Sequence, residues 1–183
     1  MRLIAAASIV FVFAVGFAVS GSGPAARADQ SAVVSERRGQ SRQTGQEIFR
    51  FETFGDEQLW TDVLRMHEAL ATVAPATALA VGLKVDVDAL PAELIAALQA
   101  RPVELTNPAV TVELLRLDAV VGVKGTVSGA GQLTAVGITC ALCHSSVDDS
   151  FAPGIGKRLD GWANTDLDVG TIVALSPALD EAT

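Results

Sequence analysis

The polarity of the chain switches between an unbroken apolar run and a series of patterned segments. From Leu3 to about Val19 nearly every side chain is hydrophobic. Residues 29–43 then contain Ser, Gln and Arg37-Arg38 with few large apolar groups, the composition of a flexible arm. Thr44-Gly45-Gln46-Glu47 has the form of a capping box and opens a helix. Asp56 to about Thr72 carries the most regular period. Leu59, Trp60, Val63, Leu64, Leu70 and Ala71 recur at three and four residues, with Thr61, Asp62, Arg65 and Glu68 opposite, which predicts one amphipathic helix ended by Pro75.

Leu83 to Leu90 alternates apolar and polar positions as a short strand or extended connector. Pro91 starts a helix to about Ala100, Pro102 stops it, and Asn107-Pro108 caps another through Leu117. Ala119–Val127 and Gln132–Thr139 are β-branched runs joined by Ser128-Gly129-Ala130-Gly131, the signature of a hairpin. Beyond Cys140 a helix is expected to continue through Ser145–Ser150 and to break at Phe151-Ala152-Pro153-Gly154, with one more apolar segment at Val169–Leu175. The expected class is mainly α, with a β-hairpin.

The opening run changes what composition means. Arg2 precedes an apolar core too short to span a bilayer comfortably, and Gly21-Ser22-Gly23-Pro24 and Ala26-Arg27-Ala28 follow. That order reads as a secretory signal peptide over 1–28, cleaved after Ala28; helix-breaking Gly and Pro before the small-residue site argue against a retained anchor. Cleavage removes two basic residues and no acidic one, leaving 11 basic against 21 acidic side chains and moving the formal charge from −8 to −10. An acidic chain of about 155 residues, one ordinary domain, disfavours nucleic acid and anionic membranes as partners. It favours a basic or neutral protein partner, with no stable membrane span after cleavage.

Candidate chemistry is concentrated in Cys140-Ala141-Leu142-Cys143-His144, which holds both cysteines and one of two histidines. Two thiols three positions apart on one turn can each add to a vinyl group of one porphyrin, and the following imidazole can reach the iron. This makes Cys140 and Cys143 candidate thioether links to one covalent haem c, with His144 as proximal ligand. Two other readings fit the residue types: a redox dithiol at a strand-to-helix junction, and zinc held by Cys140, Cys143, His144 and His67. A thioredoxin-type fold needs more elements after the cysteines than the forty residues here supply.

The five residues resemble the signature of class I c-type cytochromes, and Gly45–Phe49 is similar to the Gly-x-x-Ile-Phe opening of that family's first helix, here some ninety residues before the motif instead of about ten. The resemblance implies a cytochrome c-like helical domain over 44–183, haem attachment in the periplasm, and one-electron transfer. It also implies a loop near Pro153 whose carbonyl accepts the proximal imidazole N–H. Lys157-Arg158 and Trp162 are candidate partners for haem propionates, or else a solvated basic pair and a packing Trp.

In that family a methionine after the motif completes the iron's coordination, but no Met or His follows His144 in this sequence. On the helix expected over 56–72, His67 points within roughly 10° of the apolar stripe and Met66 about 90° from it. His67 is therefore the first candidate for the sixth ligand and Met66 the second, against a plain hydrogen-bonded core histidine or an open position. Asp86 and Asp88 have a calcium-like spacing but lack the glycine turn and closing glutamate, so they read as solvated.

From about Gly45 to Ala178 the chain also resembles the N-terminal part of bacterial di-haem cytochrome c proteins, some related to cytochrome c peroxidases. Phe49–Glu57, Val81–Asp86 and Gly137–Leu159 carry that likeness. A peroxidase-like oxidoreductase is thus the alternative to an electron carrier. In that family a second Cys-x-x-Cys-His follows, and residues 1–183 contain one.

Overall fold

A computed structural model describes residues 44–100 and 105–180. The signal peptide expected at 1–28 and the flexible arm expected at 29–43 lie outside the described residues.

The first helix, α1 (44–51), starts where the capping-box residues stand. The long amphipathic helix expected over 56–72 is instead three pieces. Gln58–Val63 is a π-helical turn closed by Leu64 N–H donating to the Leu59 carbonyl at 2.9 Å, Arg65 is left-handed at φ 52, and α2 (Met66–Leu70) begins afresh. Wide turns of this kind recur where side chains in a helix have work to do elsewhere. Here Thr61 and Asp56 serve the edge of a strand, as described below.

Pro75 does not merely end a helix; it is the first residue of α3 (Pro75–Ala80), where its missing N–H costs nothing. β1 (Val85–Asp86) and a 3-10 turn (Val87–Ala89) occupy the alternating segment. α4 (Ala92–Ala100) and α5 (Pro108–Arg116) stand where the prolines predict, and the Asn107 side chain caps α5 by accepting from the Ala109 N–H at 3.0 Å.

β2 (Val123–Val127) and β3 (Leu133–Ile138) form the expected antiparallel hairpin, with a register shift between Thr126 and Val127. The expected first strand was longer. Its opening residues turn away to bond β1, through Asp86 N–H to the Ala119 carbonyl and Val121 N–H to the Lys84 carbonyl, both 2.9 Å. Among the described residues, the outer edge of β3 meets no further strand. Thr61 Oγ1 both donates to the Val136 carbonyl and accepts from the Val136 N–H, each at 2.8 Å, while Ile138 N–H donates to the Asp56 carboxylate at 3.1 Å. Side chains of the π segment thus satisfy the strand's backbone.

After the hairpin, α6 is a single turn (Ala141–His144), and the helix expected to continue through 145–150 is strand β4 (Ser145–Val147). β5 (Ile155–Gly156) pairs in parallel with β1, and β6 (Arg158–Asp160) pairs antiparallel with β4. α7 (Val169–Ala174) and α8 (Pro177–Asp180) close the described chain.

The expected mainly α, cytochrome c-like helical domain is therefore corrected. Among the described residues 44% are helical and 18% are in strands, the latter as three separate two-stranded sheets, which is a mixed α/β arrangement. The physical reason is local. Ser145–Val147 alternates buried and less buried positions and closes on the evenly half-buried Arg158–Asp160 as a ladder, an option that short runs leave undecided by periodicity alone.

Among the described residues two main clusters fill the interior. One joins Met66, Leu70, Leu115, Val123, Val136 and Leu142, and the other Val85, Val87, Leu90, Ala119 and Ile155. A third, small one holds Val121, Ala141 and Val147 against Phe49 of α1. No helix among the described residues is long and apolar enough to cross a membrane.

Candidate functional site

The Cys140–His144 turn is built on the end of β3 and held from both sides. Thr139, buried, sets its start. Its N–H donates to the Gly122 carbonyl at 2.9 Å, its hydroxyl donates to the Arg50 carbonyl at 3.1 Å, and the same oxygen accepts from the Ala141 N–H at 3.3 Å. Gly122 is the floor. A Cβ at its φ of +75° would stand 2.0 Å from the Leu142 nitrogen, so only glycine lets the turn lie this close.

On this floor the turn divides by face. Ala141 and Leu142 are buried, at 0% and 6% exposure, whereas Cys140, Cys143 and His144 are all exposed. Both cysteines are free thiols. The three groups with candidate chemistry therefore share the accessible side of one turn.

The far side is held by the segment after β6. Gly161 N–H donates to the His144 carbonyl at 2.8 Å and Asn164 N–H to the Cys143 carbonyl at 3.0 Å. The Asn164 side-chain amide donates to the Gly82 carbonyl at 2.9 Å, while its Oδ1 is buried without a partner. Trp162, between these anchors, is 66% exposed. An open concavity of about 440 Å³ adjoins Gly161 and is lined by Gln46, Phe49 and Asp160.

Asp160 ties these parts together. Its carboxylate accepts from Gln46 Nε2 at 3.0 Å, from Arg50 Nε at 2.7 Å and from the hydroxyl of Ser145, the residue after His144, at 3.0 Å. Burial by itself would raise the Asp160 pKa, but these hydrogen bonds and the Arg50 charge outweigh it and hold the carboxyl below the ordinary carboxylate range.

The structure separates the two candidate sixth ligands from this face. Met66 is 1% exposed in the main core cluster, alongside Leu142 on the inner side of the turn. His67 is half-buried in a groove formed with α5 and the hairpin, including Ala109, Glu113, Val127 and Thr134, and no residue of the Cys140–His144 turn lines that groove. The order expected from a continuous helix is inverted, with Met66 in the core and His67 toward the groove. The π turn and the left-handed Arg65 reset the helical phase between Leu64 and Met66.

Arg158 also departs from expectation. Its side chain is 3% exposed, its Nε lies 3.1 Å from the buried Asp86 carboxylate, and its guanidinium carbon lies 5.7 Å from the centre of the Phe51 ring. Burial lowers its pKa from the ordinary guanidinium value, against the pull of Asp86. Asp86 is thus an internal counter-ion and not a solvated carboxylate, while Asp88 is exposed as expected. Lys157 is exposed and Pro153 too, and no hydrogen bond joins Pro153 to His144 among the described residues.

The residues that sequence reasoning missed are the supports: Gly122, Asp160, Gly161 and Asn164. Only Gly122, a glycine within an apolar run, and Gly161, in a glycine-punctuated loop, carried any signal. Among the described residues no three side chains of His, Cys, Asp or Glu converge to hold a metal ion, so Cys140, Cys143, His144 and His67 are not gathered as a zinc site. No family model, no curated protein and no solved structure matches this chain.

Proposed function

We propose that this chain is an exported c-type haem protein that transfers single electrons, with Cys140 and Cys143 as its thioether links and His144 as the proximal iron ligand. The observation that carries this reading is the division of one turn, three reactive side chains outward and Ala141 and Leu142 inward. A ligand attached at two points and ligated at a third must lie across one accessible face, and the shared exposure of these three side chains supports that reading.

Cys140 and Cys143 would hold the haem group through thioether bonds, each made by adding the S–H across a vinyl group, sulfur to one carbon and the proton to the other. The bound haem supplies an Fe(III)/Fe(II) couple whose potential depends on axial ligands, hydrogen bonding and burial. The chain's own residues do the positioning. Gly122 admits the turn, the Gly161 and Asn164 amides hold the carbonyls of His144 and Cys143, and Asp160 fixes Ser145 behind the histidine. Trp162, 66% exposed, lies in the segment between the Gly161 and Asn164 amides that hold the turn. The single-turn length of α6 tells against the dithiol reading, because the aligned peptide dipoles that favour a thiolate at a helix start are few there.

The leader over 1–28 directs the chain to the periplasm, and the net charge of −10 after cleavage selects a basic or neutral redox protein as partner. Expression in cells with c-type maturation machinery tests the assignment. The purified wild type is expected to keep haem stain on a denaturing gel and to titrate as a one-electron couple, and the Cys140→Ser/Cys143→Ser variant to lose the stain. A stain-free wild type with two titratable thiols would overturn it.

A further inference from the structure

Among the described residues lie two apolar cavities that the haem reading does not use. The larger, of about 70 Å³, lies between α3, α5 and β1, with half-buried Leu94 and Leu105 on its outer side. The smaller, of about 40 Å³, reaches from Met66 to Leu142, the residue between the two cysteines, and to Val169. Leu70, Leu83 and Val123 line both, so three side chains form the wall between them.

Neither cavity suits water. Thr111 is the one hydroxyl at the larger cavity, and it already donates to the Val73 carbonyl at 2.6 Å. The smaller is lined by hydrocarbon side chains, Trp60, the Met66 thioether and Gly137. A buried water needs two to four polar partners, whereas dry cavities lined by aliphatic side chains accept nonpolar guests. An engineered cavity of about 150 Å³ takes benzene or xenon. At about half that size, the larger chamber fits a guest of xenon or diatomic dimensions and excludes an aromatic ring.

We propose that these paired chambers form a binding site for a small nonpolar molecule of the size of a diatomic gas, extending to the inner side of the Cys140–His144 turn. The site depends on packing alone and stands whether or not haem is attached.

Xenon is the direct probe, applied to the full chain with its methyl groups observed by NMR. Saturable shifts confined to lining methyls such as Leu70, Leu83 and Val123 are expected as xenon pressure rises. Shifts that grow linearly with pressure and spread over surface methyls would overturn the proposal. Filling the larger chamber with Ala78→Leu is expected to abolish the saturable component there and leave that of the smaller chamber. Should that variant fail to fold, Leu70→Ala serves in its place: it removes part of the shared wall, and saturable benzene binding absent from the wild type is then expected. Xenon shifts unchanged by filling, or no benzene binding on removal of the wall, would contradict the two-chamber arrangement.

Discussion

At the scale of single residues, the position that most constrains the site is a glycine with no chemistry. Gly122→Ala would force a left-handed alanine, costing about 1 kcal/mol, and drive its Cβ into the Leu142 backbone. A loss of roughly 3 kcal/mol or more is expected in denaturant unfolding, together with a fall in haem incorporation. A change within about 0.5 kcal/mol would mean that the turn does not rest on Gly122.

Met66 and His67 give a second contrast at this scale. Met66→Ala is expected to cost about 2–5 kcal/mol as a core truncation, and His67→Ala, at the edge of an open groove, under about 1 kcal/mol. His67→Ala is further expected to leave the absorption spectrum of the haem form unchanged. A shift to a high-spin spectrum would show that His67 reaches the iron. The Cys-x-x-Cys-His motif could be read from residue types alone. The direction of His67 could not, because projecting it needed a helix of constant period, and one wide turn and one left-handed residue removed that premise.

At the scale of elements, the Asp160 clamp joins α1, β6 and the residue after the motif. Its folded pKa is depressed, so its contribution to stability is full above the unfolded value of about 3.9 and disappears as pH falls through the lower folded value. Thermal melts of wild type are therefore expected to lose stability as pH drops below about 4, and Asp160→Asn to show a shallower acid loss with lower stability at neutral pH. Equal acid slopes in the two proteins would contradict this. Asp56 has the opposite sign: burial raises its pKa despite the Ile138 N–H, so its charged form is a cost that strand edge β3 carries at neutral pH. Helices marked by prolines and caps, α4 and α5, were readable from sequence, as was the hairpin. β4, β5 and β6 were not, since two- or three-residue strands carry too little period to separate from a loop or the end of a helix.

At the scale of the whole molecule, a buried Asp86–Arg158 pair links β1 and β6, which belong to separate two-stranded sheets. The long separation between Gly45 and Cys140 in sequence closes in space, because Arg50 and Phe49 of α1 touch Thr139 and the cluster around Ala141. Such contacts between distant segments are invisible to local patterns, whereas the mainly α expectation failed on short local runs that closed as strands. The most direct measurement is the reduced pyridine spectrum of the purified exported protein before and after acid-solvent extraction. One haem per chain that resists extraction, with the band of a porphyrin whose two vinyl groups are saturated, is the predicted result. A protein without haem, or with haem that the solvent removes, would contradict it.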